Sequence, residues 1–137
     1  MFSPVRETED EAGNMVETAI FSQWMHREKL NLKYASWRLG RSTGEVDVVL
    51  VDTKFFKPNR CVEVKWSNRY FSNPKELGSL RHFCEQNKLT AALVTTIDKE
   101  GVLEVGGIRL TFLPAAVYAY NIGFVRFEAT ALGAELL

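Results

Sequence analysis

The chain has 137 residues, of which 46% are hydrophobic and 25% charged, and its 17 basic and 17 acidic side chains cancel to zero net charge at pH 7. This length fits a single globular domain, residues 1–137, with a core over about residues 8–120. No apolar run approaches the ~20 residues of a membrane helix, and the acidic start lacks the apolar centre of a signal peptide. We therefore expect a cytoplasmic protein with no membrane partner. The chain contains no G-x-x-x-x-G-K-[ST] motif, which excludes a P-loop ATPase.

The neutral total hides an uneven charge distribution. Residues 27–88 hold 13 Lys and Arg against 7 Asp and Glu, a balance of +6, and the rest of the chain carries −6. A local positive field can attract a phosphate backbone even when the whole protein is neutral. The alternative is an ordinary solvated surface of mixed charge.

The first predicted element is a helix. Thr8-Glu9-Asp10-Glu11 has the form of a capping box, and the helix continues to about Glu28. Val16, Ile20 and Trp24 recur at four-residue intervals and form the predicted buried stripe. Glu17 lies at the edge of that stripe, where its carboxylate could face the sheet; the alternative is a Glu on the helix surface.

Three predicted strands follow. They are Leu32 to Leu39, Glu45 to Asp52 and Arg60 to Ser67, with a turn at Arg41 to Gly44 and a polar connection from Asp52 to Asn59. Their short links favour an antiparallel meander.

The remaining pattern predicts one more helix, three strands and a final helix. Ser72-Asn73-Pro74 opens a helix that ends near Lys88, and the apolar run from Ala91 to Ile97 is typical of a buried strand parallel to its neighbour. Gly106-Gly107 marks a hairpin, and Pro114 starts a helix through Tyr120. The predicted fold is α/β, with a mixed central sheet flanked by helices.

Two of the predicted strands carry charges where apolar residues are expected. Asp47 lies inside the second strand, and Glu63 and Lys65 lie two residues apart in the third, so the last two share one face. If the strands pair, Asp47 and Glu63 converge, and Mg²⁺ is the ion that two such carboxylates favour. The carbonyl of Val64 would be a further ligand. The alternative is a structural ion pair between Lys65 and one carboxylate.

These residues resemble the PD-(D/E)XK phosphodiesterase superfamily through the spacing Asp47-x15-Glu63-x-Lys65. The closer resemblance is to the nuclease-like domain at the C-terminal end of some prokaryotic AAA-type ATPases, over roughly residues 12–120. There a helix with Glu precedes an aromatic-rich strand, then Glu-Val-Asp and Glu-Val-Lys, as Glu17, Tyr34 to Arg38, Glu45 to Asp47 and Glu63 to Lys65 do here. The PD dipeptide is absent, since Val46 precedes Asp47.

The resemblance implies a restriction-endonuclease-like αβββαβ core and a Mg²⁺ site, with Mn²⁺ as a substitute. Asp47, Glu63, the Val64 carbonyl and Glu17 would hold the metal. Lys65 would lie beside the attacking water, where its cation could hold a phosphate oxygen or a lowered pKa could let it take a proton. We assign DNA contacts to three arginines: Arg38, Arg41 and Arg69.

Two functions follow as hypotheses. The first is a metal-dependent nuclease that hydrolyses DNA. The second is a catalytically inactive module of the same fold that binds nucleic acid or regulates an AAA-type ATPase partner. A protein-interaction domain is a third hypothesis, and the oligomeric state stays open, a homodimer included. The two cysteines, Cys61 and Cys84, are expected to be buried free thiols rather than a disulfide.

Overall fold

The computed structural model describes residues 9–25, 31–39, 42–52 and 54–122, with the backbone alone for residues 9–10, 25, 31–39 and 42–43. The elements in chain order are α1 (Glu9–Met25), β1 (Asn31–Leu39), β2 (Ser42–Val51), β3 (Pro58–Glu63), α2 (Arg69–Ser72), α3 (Gly78–Gln86), β4 (Ala91–Thr96), β5 (Gly101–Val105) and β6 (Ile108–Pro114). Residues 115–122 form a last helix, α4.

All six strands belong to one mixed sheet with the order β1-β2-β3-β4-β6-β5. The first three strands form the predicted antiparallel meander. β4 runs parallel to both β3 and β6, and β5 returns antiparallel along β6. The predicted α/β fold with a mixed sheet and flanking helices is confirmed, and the αβββαβ order holds when α2 and α3 are taken together.

Alternating strand residues divide the core into two layers, because successive side chains of a strand point to opposite faces of the sheet. One layer packs the sheet against α3; its members from β2, β3 and α3 are Val46, Val49, Cys61, Leu80, Phe83 and Cys84. The other layer packs the sheet against α1 and α4; its members include Ile20, Trp24, Val48, Leu50, Val62, Tyr118 and Ile122.

The stripe predicted on α1 is confirmed. Ile20 and Trp24 are each only 1% exposed, and the partly buried Val16 packs against the same cluster. The predicted cap at Thr8 and the end of the helix near Glu28 lie outside the described residues.

The boundaries of β2 and β3 differ from the prediction. β2 begins at Ser42, so part of the predicted turn is already strand. β3 begins at Pro58 and ends at Glu63 instead of Ser67. The reason for the early end is that side chains take over the backbone hydrogen bonds after Glu63, as described for the site below.

The predicted continuous helix to Lys88 is wrong. A 3₁₀ turn over Pro74–Glu76 separates α2 from α3. Asn73 lies at φ −128°, ψ 65°, outside the helical region, since the ring of a proline disfavours helical geometry in the residue before it. Pro74 thus ends one short helix rather than opening a long one.

The C-terminal hairpin is confirmed. Gly106 and Gly107 link β5 to β6 with φ of 59° and 79°, the left-handed conformation that a two-residue hairpin turn requires and glycine adopts without steric cost. α4 follows directly on β6 and extends two residues past Tyr120.

The two thiols behave as predicted. Cys61 and Cys84 are buried and free, with their Sγ atoms 3.5 Å apart between β3 and α3. That contact and burial raise the pKa of the Cys61 thiol. Separately, none of the helices in the described ranges has the length and apolar character needed to cross a membrane.

Candidate active site

The candidate site lies where β2 and β3 part. Their ladder runs from Val51↔Pro58 to Val48↔Val62. Beyond it, the backbone N–H of Val64 donates to Asp47 Oδ2 at 2.8 Å. A carboxylate oxygen thus accepts the N–H that a strand carbonyl would accept in a continuing ladder, which explains why β3 ends at Glu63. The same hydrogen bond places Asp47 beside Val64.

A bulge in β2 sets the position of Asp47. Val46 pairs with Ala35 and Val49 with Lys33, so two residues of β2 lie opposite one residue of β1. Val46 and Val49 consequently pack in the same core layer, although three residues apart they would face opposite sides of a regular strand. Asp47 lies within this bulge, where side chains need not alternate regularly between the two faces of the sheet.

Glu63 and Lys65 form an ion pair with Lys65 Nζ 2.7 Å from Glu63 Oε1. This contact agrees with the prediction that the two side chains share one face. Glu63 is buried, with 7% of its surface exposed. Its second oxygen, Oε2, is also buried and has no hydrogen-bond partner among the described residues. A buried carboxylate oxygen without a donor is costly, and a cation is one way to satisfy it.

A threonine of the neighbouring strand fixes the backbone of Lys65. The hydroxyl of Thr95 accepts from the Lys65 N–H at 2.7 Å and donates to the Lys65 carbonyl at 2.7 Å. Thr95 is fully buried. The Lys65 ammonium also lies 5.7 Å from the ring centroid of Tyr70, within the range of a cation–π contact. Sequence reasoning missed both partners; the one signal was a hydroxyl inside the apolar run of β4.

Burial is the largest cause of the raised pKa values of Asp47 and Glu63. Burial raises the pKa of Asp47, and the Val64 hydrogen bond and the charge of Lys65 offset this only in part. Burial and repulsion from Asp47 raise the pKa of Glu63 from 4.5 to about 7, against the attraction of Lys65. Two negative charges in one partly desolvated site therefore disfavour each other.

Lys65 shows the opposite balance. Burial alone would lower its pKa, but the carboxylates of Glu63 and Asp47 outweigh burial and raise it. Of the two roles considered for Lys65, the raised pKa favours the cation over a base with a lowered pKa. At neutral pH Lys65 is a cation, which suits contact with a phosphate oxygen and not removal of a proton.

Glu17 approaches the site from α1. A cavity of about 450 Å³ is bordered by Glu17, Asp47 and Lys65 together with Arg69 and Tyr70. Burial, and then repulsion from Asp47, raise the pKa of Glu17. The helix edge that carries Glu17 therefore faces the sheet.

The donor set fits a hard cation with few protein ligands. Asp47 and Glu63 are close enough for their charges to interact, and Glu63 Oε2 is a buried oxygen that lacks a hydrogen-bond donor among the described residues. Within the described ranges, however, no three acidic, His or Cys side chains are grouped closely enough to form a metal site. Mg²⁺ commonly takes only one or two carboxylates and completes its shell with water and phosphate oxygens, so a site with two carboxylates is within the range of Mg²⁺ sites in proteins.

The three arginines assigned to DNA differ in outcome. Arg69 borders the cavity, where its guanidinium pairs with Glu76 at 2.6 Å. Arg38 lies on β1, but its side chain is outside the described residues, as is all of Arg41.

Comparison with family models and with curated proteins yields no match for this chain. The resemblance to PD-(D/E)XK nucleases stays a prediction.

Proposed function

We propose that the protein is a metal-dependent phosphodiester hydrolase that acts on DNA. One observation supports this above the others. The carboxylate of Asp47 on β2 accepts a hydrogen bond from the backbone N–H of Val64, the residue between Glu63 and Lys65, which form an ion pair. Asp47 and Lys65 thus border one cavity, and Glu63 is buried next to it, paired with Lys65.

Each residue has a role that follows from its surroundings. Asp47 and Glu63 would hold Mg²⁺, which when bound orients the phosphate and lowers the pKa of a water. Lys65, held as a cation by its neighbours, binds a non-bridging phosphate oxygen and stabilises the negative charge that grows there during attack. Glu17, whose pKa is raised by burial, lies in the same cavity and accepts the proton that the attacking water loses. As the water oxygen bonds to phosphorus, the bond from phosphorus to the departing sugar oxygen breaks, and solvent water protonates that oxygen.

Cleavage assays test the proposal directly. Linear duplex, single-stranded and branched DNA are incubated with Mg²⁺ or Mn²⁺ and the wild-type protein, Asp47→Asn, Glu63→Gln or a control, Glu104→Gln, which alters an exposed acid on β5. We expect cleavage by the wild type and the control, and none by the two site variants. Absence of cleavage by the wild type, or full activity of Asp47→Asn, would contradict the proposal.

A second candidate is an inactive module of the same fold that binds nucleic acid or regulates an ATPase partner. The observation that favours it is the short Lys65–Glu63 ion pair, which balances the charge of one carboxylate without any metal. Under this candidate, DNA binding is salt-dependent and survives the loss of both Asp47 and Glu63. Binding measured in chelator with the Asp47→Asn/Glu63→Gln double variant separates the two candidates.

A further inference from the structure

The connection between β2 and β3 exposes two adjacent aromatic side chains. Phe55 is 65% exposed and Phe56 76%, the latter being the most exposed large hydrophobic side chain within the described ranges. Single exposed hydrophobics are ordinary on protein surfaces, but a contiguous apolar pair bordered by charge indicates a binding surface.

The backbone holds this pair in a fixed turn. The carboxylate of Asp52 accepts the N–H groups of Lys54 at 2.7 Å and Phe55 at 3.0 Å. The Asp52 N–H also donates to Lys57 O at 2.9 Å, and the Asp52 carbonyl accepts the Phe56 N–H at 2.9 Å. The aromatic pair is therefore presented on a closed, hydrogen-bonded loop.

Phe56 occupies a backbone position that a glycine would fill more favourably. Its φ is 54°, in the left-handed region that is strained for side chains with a Cβ. Strain kept at an exposed aromatic residue is not explained by packing, and such strain collects at functional sites. The left-handed backbone at Phe56 thus fixes the direction in which its side chain leaves the turn.

The charges beside the rings indicate the chemistry of that contact. Lys54 and Lys57 flank the pair in sequence and are both exposed, and Lys54 Nζ lies 5.3 Å from the Phe55 ring centroid. Aromatic faces next to ammonium groups match a nucleotide, whose base stacks while its phosphate meets the cation.

The turn belongs to the same hairpin as the candidate active site. Asp47 precedes Asp52 by five residues and Glu63 follows Pro58 by five residues. At about 3.3 Å per strand residue, the turn lies roughly 17 Å along the strands from the carboxylates. That span corresponds to about five base pairs of duplex DNA at 3.4 Å per step.

We propose that Phe55 and Phe56 form a stacking platform for unpaired DNA bases, so that single-stranded or branched DNA binds along the β2–β3 hairpin. The choice of DNA as the partner rests on the proposed function; the stacking itself does not require cleavage. The test below therefore measures binding in chelator.

Binding of a short fluorescent oligothymidylate is measured by anisotropy in EDTA. We expect Phe55→Ala/Phe56→Ala to weaken binding by about fivefold or more, the loss of at least one base–aromatic stack. Phe55→Leu/Phe56→Leu keeps the apolar bulk without the rings and should weaken binding as much. Val102→Ala, at an exposed apolar position on β5, should bind as the wild type does. Wild-type affinity in either double variant would overturn the proposal.

Two further variants add independent readouts. Phe56→Gly relieves the left-handed strain, so it should raise the urea midpoint of unfolding while it weakens binding, a combination that simple misfolding does not produce. Lys54→Gln/Lys57→Gln should lower the salt slope of binding by about 1.4, as expected for two phosphate contacts on a single strand. An unchanged slope would contradict the nucleotide assignment.

The outcomes also separate this proposal from the proposed function. If Glu63→Gln binds the oligonucleotide with the same dependence on the two rings and the wild type does not cleave, stacking holds and the hydrolase proposal fails. If the wild type cleaves DNA but the ring variants bind and cleave normally, stacking fails alone. Ring-dependent binding to phosphatidylglycerol vesicles without binding to the oligonucleotide would identify a membrane contact and overturn the platform.

Discussion

Glu63 has one of three raised carboxyl pKa values, with those of Asp47 and Glu17, that make the stability of the metal-free protein fall as the pH rises. Its pKa is about 7 in the folded protein against an ordinary value of 4.5. Since the folded protein holds this proton more tightly than the unfolded chain, the free energy of unfolding falls as the pH rises between these values. The difference corresponds to a loss of about 3 kcal/mol, complete by about pH 8.

Glu63→Gln removes the titrating group and keeps its shape. Urea unfolding in EDTA at a series of pH values gives the free energy of unfolding for the wild type, for Glu63→Gln and for the surface control Glu104→Gln. We expect the wild type and the control to lose stability together from about pH 5 to pH 8, and the Glu63→Gln profile to be flatter by about 3 kcal/mol over that range. The substitution also breaks the Lys65 ion pair, so the slope and not the absolute stability is the readout. Parallel profiles for the wild type and Glu63→Gln would refute the reasoning.

Three further changes test the parts that hold the site. Asp47→Ala removes the acceptor of the Val64 N–H and should lower the free energy of unfolding in urea by about 1–3 kcal/mol. Asp47→Asn keeps an acceptor oxygen and should lower it by less. Both variants should abolish Mn²⁺ binding measured by calorimetry. Thr95→Val leaves the Lys65 N–H and carbonyl without their partner and should lower stability by about 2 kcal/mol, whereas Thr95→Ser should stay near the wild type; equal stability of both would contradict the contact. Leu80→Ala, at a position with no exposed surface, should cost about 2–5 kcal/mol in the same unfolding assay, and a smaller cost would indicate that the layer under α3 collapses around the cavity.

Local patterns in the sequence predicted most of the helices and strands and the charged residues of the candidate site, but not the break in the second helix or the contacts of Lys65 with Thr95 and Tyr70. The stripe at Val16, Ile20 and Trp24 predicts which face of α1 is buried, since helical spacing fixes that face without reference to the rest of the fold. Paired glycines predict the β5–β6 turn for a similar reason, because their left-handed conformation is a property of two adjacent residues. The two-residue spacing likewise indicated that Glu63 and Lys65 share one face.

Contacts between distant segments decided the rest. The position of Asp47 beside Val64 depends on the bulge in β2 and on the hydrogen bond from the Val64 N–H, neither of which has a local sequence signature. The hydroxyl of Thr95, 30 residues away in sequence, holds Lys65, and this required the parallel pairing of β3 with β4. The direction of the Lys65 pKa shift likewise depends on the tertiary structure, since burial lowers the pKa and the nearby carboxylates of Glu63 and Asp47 raise it. Sequence fixes which groups are present, but their distances, and therefore their charges, arise only when non-local strands pair.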